Sequence, residues 1–268
     1  ALGLAGAAVA TITTGIVTAL AYIVAIRLDP RLHVYHIFGN VWRPDWQRLG
    51  EIWKIGLPIA AITLAEGGLF GAAAFLTGAL GGLLLAAHTV ALQLAALCFQ
   101  VPFGIAQAAT IRVGIHNGAG SREGVHRAGL AVLALTGGMA VIFAALMLLA
   151  PRLLLSIYID VDDPANIQLV TLALSFLLIA AGFQLFDGAQ AVLAGLLRGL
   201  ADTRVPFVIA VIGYWVFGFA AAWVLGFYTP LAGKGVWYGL ALGLLVTSIL
   251  MTWRWHRRER LGLVIDRV

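Results

Sequence analysis

The stretch from Phe183 to Arg204 reads FQLFDGAQAVLAGLLRGLADTR and places one acid, Asp187, inside a long apolar run. The run begins near Ala165 without another charge, and the first basic residue after Asp187 is Arg198, at the far end. An ionised carboxylate at that depth in hydrocarbon costs roughly 2.5 kcal/mol or more. Because intramembrane acids mostly mark ion or proton paths, the stretch predicts a membrane helix with a functional carboxyl group.

The composition of the whole chain agrees with a membrane protein. Of its 268 residues, 62% are hydrophobic and only 11% are charged, and the mean hydropathy is +0.98. In soluble domains about a quarter of the residues are charged. Apolar runs of roughly 20 residues or more are long enough to span a bilayer. The sequence therefore predicts an all-α polytopic membrane protein embedded in lipid.

Seven such runs divide the chain and predict about seven transmembrane helices. They cover residues 2–26, 54–80, 83–113, 125–150, 165–200, 205–228 and 235–253. The polar stretch 27–53 contains Pro30, Pro44 and interleaved Trp and Arg residues, and it is typical of a linker on the membrane surface. A basic tail, residues 257–268, follows the last run. Gly235, Gly239 and Gly243 form a small-residue ridge suited to close helix packing.

The distribution of basic residues predicts the orientation. All but Arg152 and Lys234 of the 17 Lys and Arg residues fall in alternate connections. This is the positive-inside pattern of membrane proteins, not a nucleic-acid footprint, so no nucleic-acid partner is expected. It puts the linker and the C-terminus in the cytoplasm, and we expect a bacterial cytoplasmic membrane. An outside N-terminus without Met or signal peptide predicts that the chain is the C-terminal part of a longer protein.

A second acid, Glu66, lies at the same predicted depth as Asp187. Glu66 follows Lys54 by 12 residues and Asp187 precedes Arg198 by 11, which places both carboxyls about 17 Å from the cytoplasmic boundary. No basic residue occupies that depth, so a proton, a metal cation such as Na⁺ or a cationic substrate must meet their charge. The alternative is that each acid is a permanently protonated packing group.

Other residues near the acids are candidates for cavity walls or gates. Glutamines could line a polar cavity or bridge helices, prolines bend helices, and a lone histidine is more often structural than a proton relay. The candidates are Gln93, Phe183, Gln184, Gln190, His88, Pro58 and Pro102.

Three runs resemble the C-terminal half of the multidrug and toxic compound extrusion (MATE) family, of NorM type. They are GLPIAAITLAEGGLF at 56–70, LAAHTVALQLAALCFQVPFGIAQAATIRVGIHNGAG at 85–120 and FQLFDGAQAVLAGLLRGLADTRVPF at 183–207. The resemblance implies a twelve-helix fold in two six-helix lobes. It makes residues 1–26 the sixth helix, 27–53 the cytoplasmic interlobe linker, 54–256 the six-helix C-terminal lobe and 257–268 a cytoplasmic tail. The N-terminal lobe would be a partner missing from this sequence.

The resemblance also implies a function. Members export cationic amphipathic drugs in exchange for sodium ions or protons, so no organic cofactor and no enzyme activity are expected. The family's acids in the seventh and tenth helices fall on Glu66 and Asp187, the pair associated with cation binding. Its further proton-linked Asp in the first helix has no counterpart, and its usual His-Gln pair is His88-Thr89 here.

Two alternatives remain from the sequence. A lipid-linked saccharide flippase of the same superfamily would place basic residues in the cavity to meet phosphate, and the spans lack them. An intramembrane enzyme would use the Glu66 and Asp187 carboxyls as acid and base, but no Ser–His, Cys–His or metal-ligand cluster accompanies them.

Overall fold

A computed structural model of the chain describes residues 3–35, 38–39 and 45–265, and its regular elements in these ranges are all helical. The α-helices are α1 (Gly3–Leu28), α2 (Trp46–Leu80), α3 (Gly82–Gly118), α4 (Arg122–Leu149), α5 (Pro151–Leu155), α6 (Ile167–Gly199), α7 (Arg204–Val211), α8 (Ala220–Phe227) and α9 (Gly233–His256). Two short 3₁₀ helices cover Pro30–Tyr35 and Pro164–Asn166, and a π-helical segment, Ile212–Phe219, joins α7 to α8.

Seven stretches of the described residues are long and apolar enough to cross a membrane. They are Ala8–Leu28, Trp46–Leu80, Gly82–Gly118, Arg122–Leu149, Pro164–Gly199, Arg204–Phe227 and Gly233–His256. The sixth combines α7, the π-helical segment and α8. The prediction of an all-α membrane protein with seven spanning helices is confirmed, and the chain is an integral membrane protein.

The chain divides into two units, Ala1–Trp53 and Lys54–Val268. In the first, α1 has no buried residues in its spanning window, and a 3₁₀ helix follows it. Helix α2 begins at Trp46, inside the predicted linker 27–53, and the boundary between the two units falls between Trp53 and Lys54. Asp45 caps the start of α2, since its Oδ1 atom accepts a hydrogen bond from the Arg48 backbone N–H at 3.1 Å. Linker residues 36, 37 and 40–44 lie outside the described residues.

Helix α6 lies at the centre of the second unit and contacts α3, α4 and α9. Its side chains are buried on most faces, and Phe176, Leu177 and Leu193 are among the most buried. At Gly195 the backbones of α6 and α3 approach so closely that a Cβ atom would collide with the Ala106 carbonyl. This central position explains how α6 carries an acid such as Asp187 away from lipid.

The predicted glycine ridge of α9 packs against the sixth span. A Cβ atom at Gly239 would collide with Ala222, and one at Gly243 would meet Gly218 at 2.8 Å. A Cβ atom at Gly235 would collide with the Leu225 carbonyl. The close packing expected of this small-residue ridge is confirmed, and it fixes the π-helical segment and α8 against α9.

A tight turn joins α6 to α7 at the end predicted to be cytoplasmic. Ala201 adopts a left-handed conformation with φ 59°, and the Asp202 N–H donates to the Leu197 carbonyl at 3.0 Å. This is a Schellman cap, which usually has glycine at the left-handed position. The turn presents Asp202 to Arg254 of α9, and the two side chains form an ion pair, 7% and 13% exposed.

The predicted basic tail turns back on the helices where it is described. The Arg258 side chain is buried and its Nη2 atom lies 3.2 Å from His126 Nδ1 of α4. The backbone N–H of Ile265 donates to Asn117 Oδ1 of α3 at 2.9 Å. Residues 266–268 lie outside the described residues.

Candidate functional site

Helices α2, α3 and α6 line an open cavity of about 340 Å³ in the second unit. Its wall is mainly apolar and includes four phenyl rings, those of Phe70, Phe99, Phe103 and Phe183. Six polar side chains interrupt this wall: Thr63, Glu66, Gln107, Asp187, Gln190 and Arg198. Both predicted acids therefore face one cavity, as expected from their matched depth.

One amide lies between the two carboxyls. Gln190 follows Asp187 by one helical turn of α6, so both side chains lie on the same face of that helix. Its Nε2 atom donates to Glu66 Oε1 of α2 at 2.8 Å and lies 3.5 Å from Asp187 Oδ1. Glu66 is half-buried, whereas Asp187 and Gln190 are 4% and 1% exposed. The carboxyl pair thus belongs to one hydrogen-bonded group that joins α2 to α6.

The oxygen atom of this amide accepts a hydrogen bond from a third structural element. The Tyr214 hydroxyl donates to Gln190 Oε1 at 2.7 Å, and the tyrosine is fully buried. Tyr214 belongs to the π-helical segment, a kind of helix often found at functional sites. The next residue, Trp215, covers α2 near the acid, since a Cβ atom at Gly68 would lie 3.0 Å from its ring. The segment therefore contacts both acid-bearing helices.

Neither carboxyl has an ion-pair partner among the described residues. The cavity does contain a basic residue, Arg198, but it lies 11 residues beyond Asp187, roughly 16 Å along α6. In the same described ranges no group of three or more His, Cys, Asp or Glu side chains could hold a metal ion. A cation at the pair would take its remaining ligands from amide, hydroxyl or carbonyl oxygens or from water.

The structure separates the predicted glutamines. Gln190 lies at the site, whereas Gln184 is buried and donates from Nε2 to the Ala95 carbonyl at 2.9 Å. Gln184 therefore bridges α6 to α3 and does not line the cavity. Gln93 is exposed and does not line it either. Phe183 does line the cavity, with its ring 5.5 Å from that of Trp237.

The predicted prolines and His88 lie outside the cavity wall. Pro58 is half-buried within α2, and the helix continues through it. Pro102 is buried in α3 and packs against α6 at Gly188. His88 is fully buried with its ring 5.5 Å from that of Trp237, and neither ring nitrogen has a hydrogen-bond partner among the described residues.

Sequence reasoning missed two residues here. Tyr214 lies in an apolar span without a charged neighbour. The one feature that could have identified it is that a tyrosine hydroxyl in such a span needs a hydrogen-bond partner. Arg198 corrects the expectation that the cavity would lack basic side chains. It was assigned to the membrane boundary alone, but long basic side chains also run along apolar surfaces. Arg198 lines the cavity 11 residues along α6 from Asp187.

Known proteins resemble this chain over nearly all of its length. Residues 58–224 match the family model described as MatE. The chain is 44% identical to a probable multidrug resistance protein NorM of Brucella suis, over 96% of this chain and 54% of that protein. It is 43% identical to the same-named protein of Mesorhizobium japonicum, over 98% and 56%. The chain therefore spans about half the length of the curated relatives it matches.

Solved structures agree in fold. A crystal structure of MATE in the straight conformation superposes with a TM-score of 0.81 at 23% identity, over 98% of this chain and 58% of that one. A superfamily transporter from Pyrococcus furiosus, described as having a binding pocket of reverse polarity, gives 0.79 at 22% identity, over 98% and 58%. The family match and the NorM relatives show that the chain belongs to the MATE family of membrane transporters and matches the C-terminal half of its members.

Proposed function

We propose that this chain is the cation-binding half of a multidrug efflux antiporter. In this proposal Glu66 and Asp187 alternately hold a coupling ion, Na⁺ or H⁺, and give it up when a cationic amphipathic compound is exported. The relatives named as multidrug resistance proteins support efflux as the activity. The observation that carries the ion site is the pair of carboxyls in one cavity, joined by one amide and without a cation of their own among the described residues.

The two carboxyls have no basic side chain paired with them among the described residues, and leaving them charged costs free energy. An uncompensated carboxylate pair in a low-dielectric site is strongly disfavoured, since desolvation and mutual repulsion both act against the charged form. A site that persists in this arrangement is stabilised by whatever positive charge enters it. A proton and a sodium ion both meet that need, and each excludes the other when they share the same oxygens.

The cavity also suits the proposed cargo. A volume of about 340 Å³ lies within the range of small-molecule pockets. Phenyl rings attract organic cations through their faces, and Phe70, Phe99, Phe103 and Phe183 supply four of them. A flat, cationic and otherwise apolar compound would find both an aromatic wall and a carboxylate pair here.

Arg198 favours a second candidate, transport of an anionic lipid-linked saccharide. A guanidinium on the cavity wall can bind phosphate, and Arg198 is the basic side chain that the lining contains. We rank this candidate second because the cavity wall carries one basic side chain, far along α6 from Asp187, and two carboxyls that lie close to one amide. Phosphate-bearing cargo would make Arg198→Gln more harmful to transport than Glu66→Gln, and cationic cargo would reverse that order.

The test is ion-driven efflux by this chain fused behind the first half of the Brucella suis relative, in a bacterium lacking its own pumps. We expect ethidium efflux to fall at least 100-fold with Glu66→Gln or Asp187→Asn, because each variant removes a charge that the coupling ion must meet. Glu123→Gln is the matched control, since Glu123 is exposed and pairs with Arg127 at the start of α4. Vesicles given only a sodium gradient or only a proton gradient identify the coupling ion.

Normal efflux by both acid variants would contradict the ion role, provided that the unmodified fusion is active.

We also propose, from the positive-inside pattern, that the protein lies in a bacterial inner membrane with its C-terminus in the cytoplasm. A fluorescent protein fused after Val268 should then fluoresce, whereas a periplasmic phosphatase fused there should stay inactive.

A further inference from the structure

The amide of Gln190 has two chemically different ends, and each faces a different partner. Its Nε2 atom, a donor only, faces Glu66 and Asp187, while its Oε1 atom, an acceptor only, faces Tyr214. This orientation suits a site without a cation, because N–H groups stabilise carboxylate oxygens. It does not suit a filled site, since Nε2 would then point its hydrogens at a positive ion.

A bound cation would need the other end of the amide. Hard cations are bound by oxygen ligands, including the carbonyl oxygens of Asn and Gln. Only two acids line the cavity, and no third His, Cys, Asp or Glu among the described residues completes a metal-binding group. Gln190 already contacts Glu66 and lies beside Asp187, so its Oε1 atom is well placed to supply another oxygen once the amide turns over.

Tyr214 is suited to permit that turn. A tyrosine hydroxyl is both a donor and an acceptor, so it can donate to Oε1 in one orientation and accept from Nε2 in the other. Tyr214 and Gln190 are almost completely buried. Without the hydroxyl, the first orientation would leave the amide oxygen unpaired and the second would leave an amide N–H group unpaired, and a buried unpaired N–H is the less tolerated of the two. A phenylalanine would therefore impede the turn without changing the shape of the site.

We propose that Gln190 and Tyr214 form the reversible part of the cation site. The Gln190 amide donates to the carboxyls when the site is empty, and it turns over to bind a sodium-sized monovalent cation through its oxygen when the site fills. The Tyr214 hydroxyl pairs with whichever end of the amide faces it. This inference rests on the proposed ion-binding role of Glu66 and Asp187, and it adds a third ligand and a positioning residue to that pair.

The experiment is a sodium titration of the full chain in lipid nanodiscs, followed by infrared difference spectroscopy of the carboxyl C=O stretch. In Gln190→Met the oxygen ligand is lost at nearly constant volume, and the sodium concentration at half effect should rise about tenfold. In Tyr214→Phe it should rise about threefold to tenfold. Gln190→Glu restores an oxygen ligand and should bind sodium at least as tightly as the wild type. A purely structural role for Gln190 would lower the thermal stability of Gln190→Met without shifting its sodium titration.

Two matched controls separate binding from folding. Gln184→Met removes a buried glutamine amide from the same helix, one bonded to the Ala95 backbone and not to the acids. Tyr238→Phe removes an exposed tyrosine hydroxyl. Both should leave the sodium titration unchanged. The thermal unfolding of every variant is recorded, and Tyr214→Phe is the decisive variant if Gln190→Met fails to fold.

The outcomes separate this inference from the proposed function. A wild-type carboxyl signal that responds to neither pH nor sodium would overturn the ion site itself. A wild-type signal that responds to sodium, with unchanged titrations in folded Gln190→Met and Tyr214→Phe, would overturn the inference alone. A wild-type response to pH without one to sodium would also overturn it, because a proton does not require the amide oxygen.

Discussion

The stretch Phe183–Arg204 contains two aspartates with buried side chains, and they differ in whether a basic side chain pairs with them. Asp202, in the turn after α6, is paired with Arg254, which comes from α9. Asp187, inside α6, has no ion-pair partner among the described residues, and its hydrogen bond comes from an amide that it shares with Glu66. Both aspartates are largely removed from solvent, so burial alone does not decide whether a cation is supplied.

The proposed ion-binding role accounts for this difference between the two carboxylates. The Asp202–Arg254 pair joins the α6–α7 turn to α9, and a fixed cation suits a permanent link between them. Asp187 lines a cavity, and in the proposed ion-binding role a basic side chain fixed beside it would compete with the coupling ion. The fold thus supplies Asp202 with a basic partner at this contact, whereas Asp187 and Glu66 have none among the described residues. The basic side chain of the cavity wall, Arg198, lies far from Asp187 along α6.

The largest effect should come from making the Asp187 site resemble the Asp202 site. Gln190→Lys would place an ammonium group between the two carboxyls, where it takes the position of the coupling ion. We expect ethidium efflux by the fused transporter to fall at least 100-fold, well beyond the effect of Gln190→Met. Thermal unfolding of the same sample should show a folded protein. Efflux close to that of Gln190→Met would mean that the site tolerates a resident cation.

A smaller effect, and on stability alone, should follow from breaking the permanent pair. Asp202→Asn leaves Arg254 without its buried partner, and we expect the free energy of unfolding to fall by about 3 kcal/mol. Adding Arg254→Met should recover part of that loss, because the unpaired charge is then gone. Chemical unfolding in detergent measures both. Sodium binding per folded molecule should stay unchanged, and a loss of sodium binding would show that the two sites are coupled.

The smallest effect should come from the turn that presents Asp202. Ala201 holds a left-handed conformation that costs a non-glycine residue about 1 kcal/mol. Ala201→Gly should raise the free energy of unfolding by roughly that amount, since glycine adopts this conformation readily. Ala201 is exposed, so no packing is lost. An unchanged or lower stability would indicate that the gain is offset in the unfolded chain.

The sequence predicted the helices well because hydropathy is a sum over many residues. It also placed Glu66 and Asp187 at one depth, because a count of residues from the nearest charge measures distance along a helix. It could not select Gln190 over Gln93 and Gln184, since their orientation about the helix axis depends on packing. The sequence could not identify Tyr214 either, for a further reason. The irregular winding of the π-helical segment shifts the faces of the sixth span, and no apolar period reveals such a shift.

That winding makes the proposed site depend on the number of residues in the sixth span as well as on their identity. Each residue of an α-helix advances the chain by about 100°. A π-helical turn, with its i→i+5 hydrogen bonds, takes up about one residue more than an α-helical turn. The same eight residues wound as regular α-helix would therefore rotate the two flanks against each other by about that angle. Either α8 would leave the glycine ridge of α9, or Tyr214 would turn away from Gln190. A change of winding that alters none of the contacting side chains would thus separate the hydroxyl from the amide.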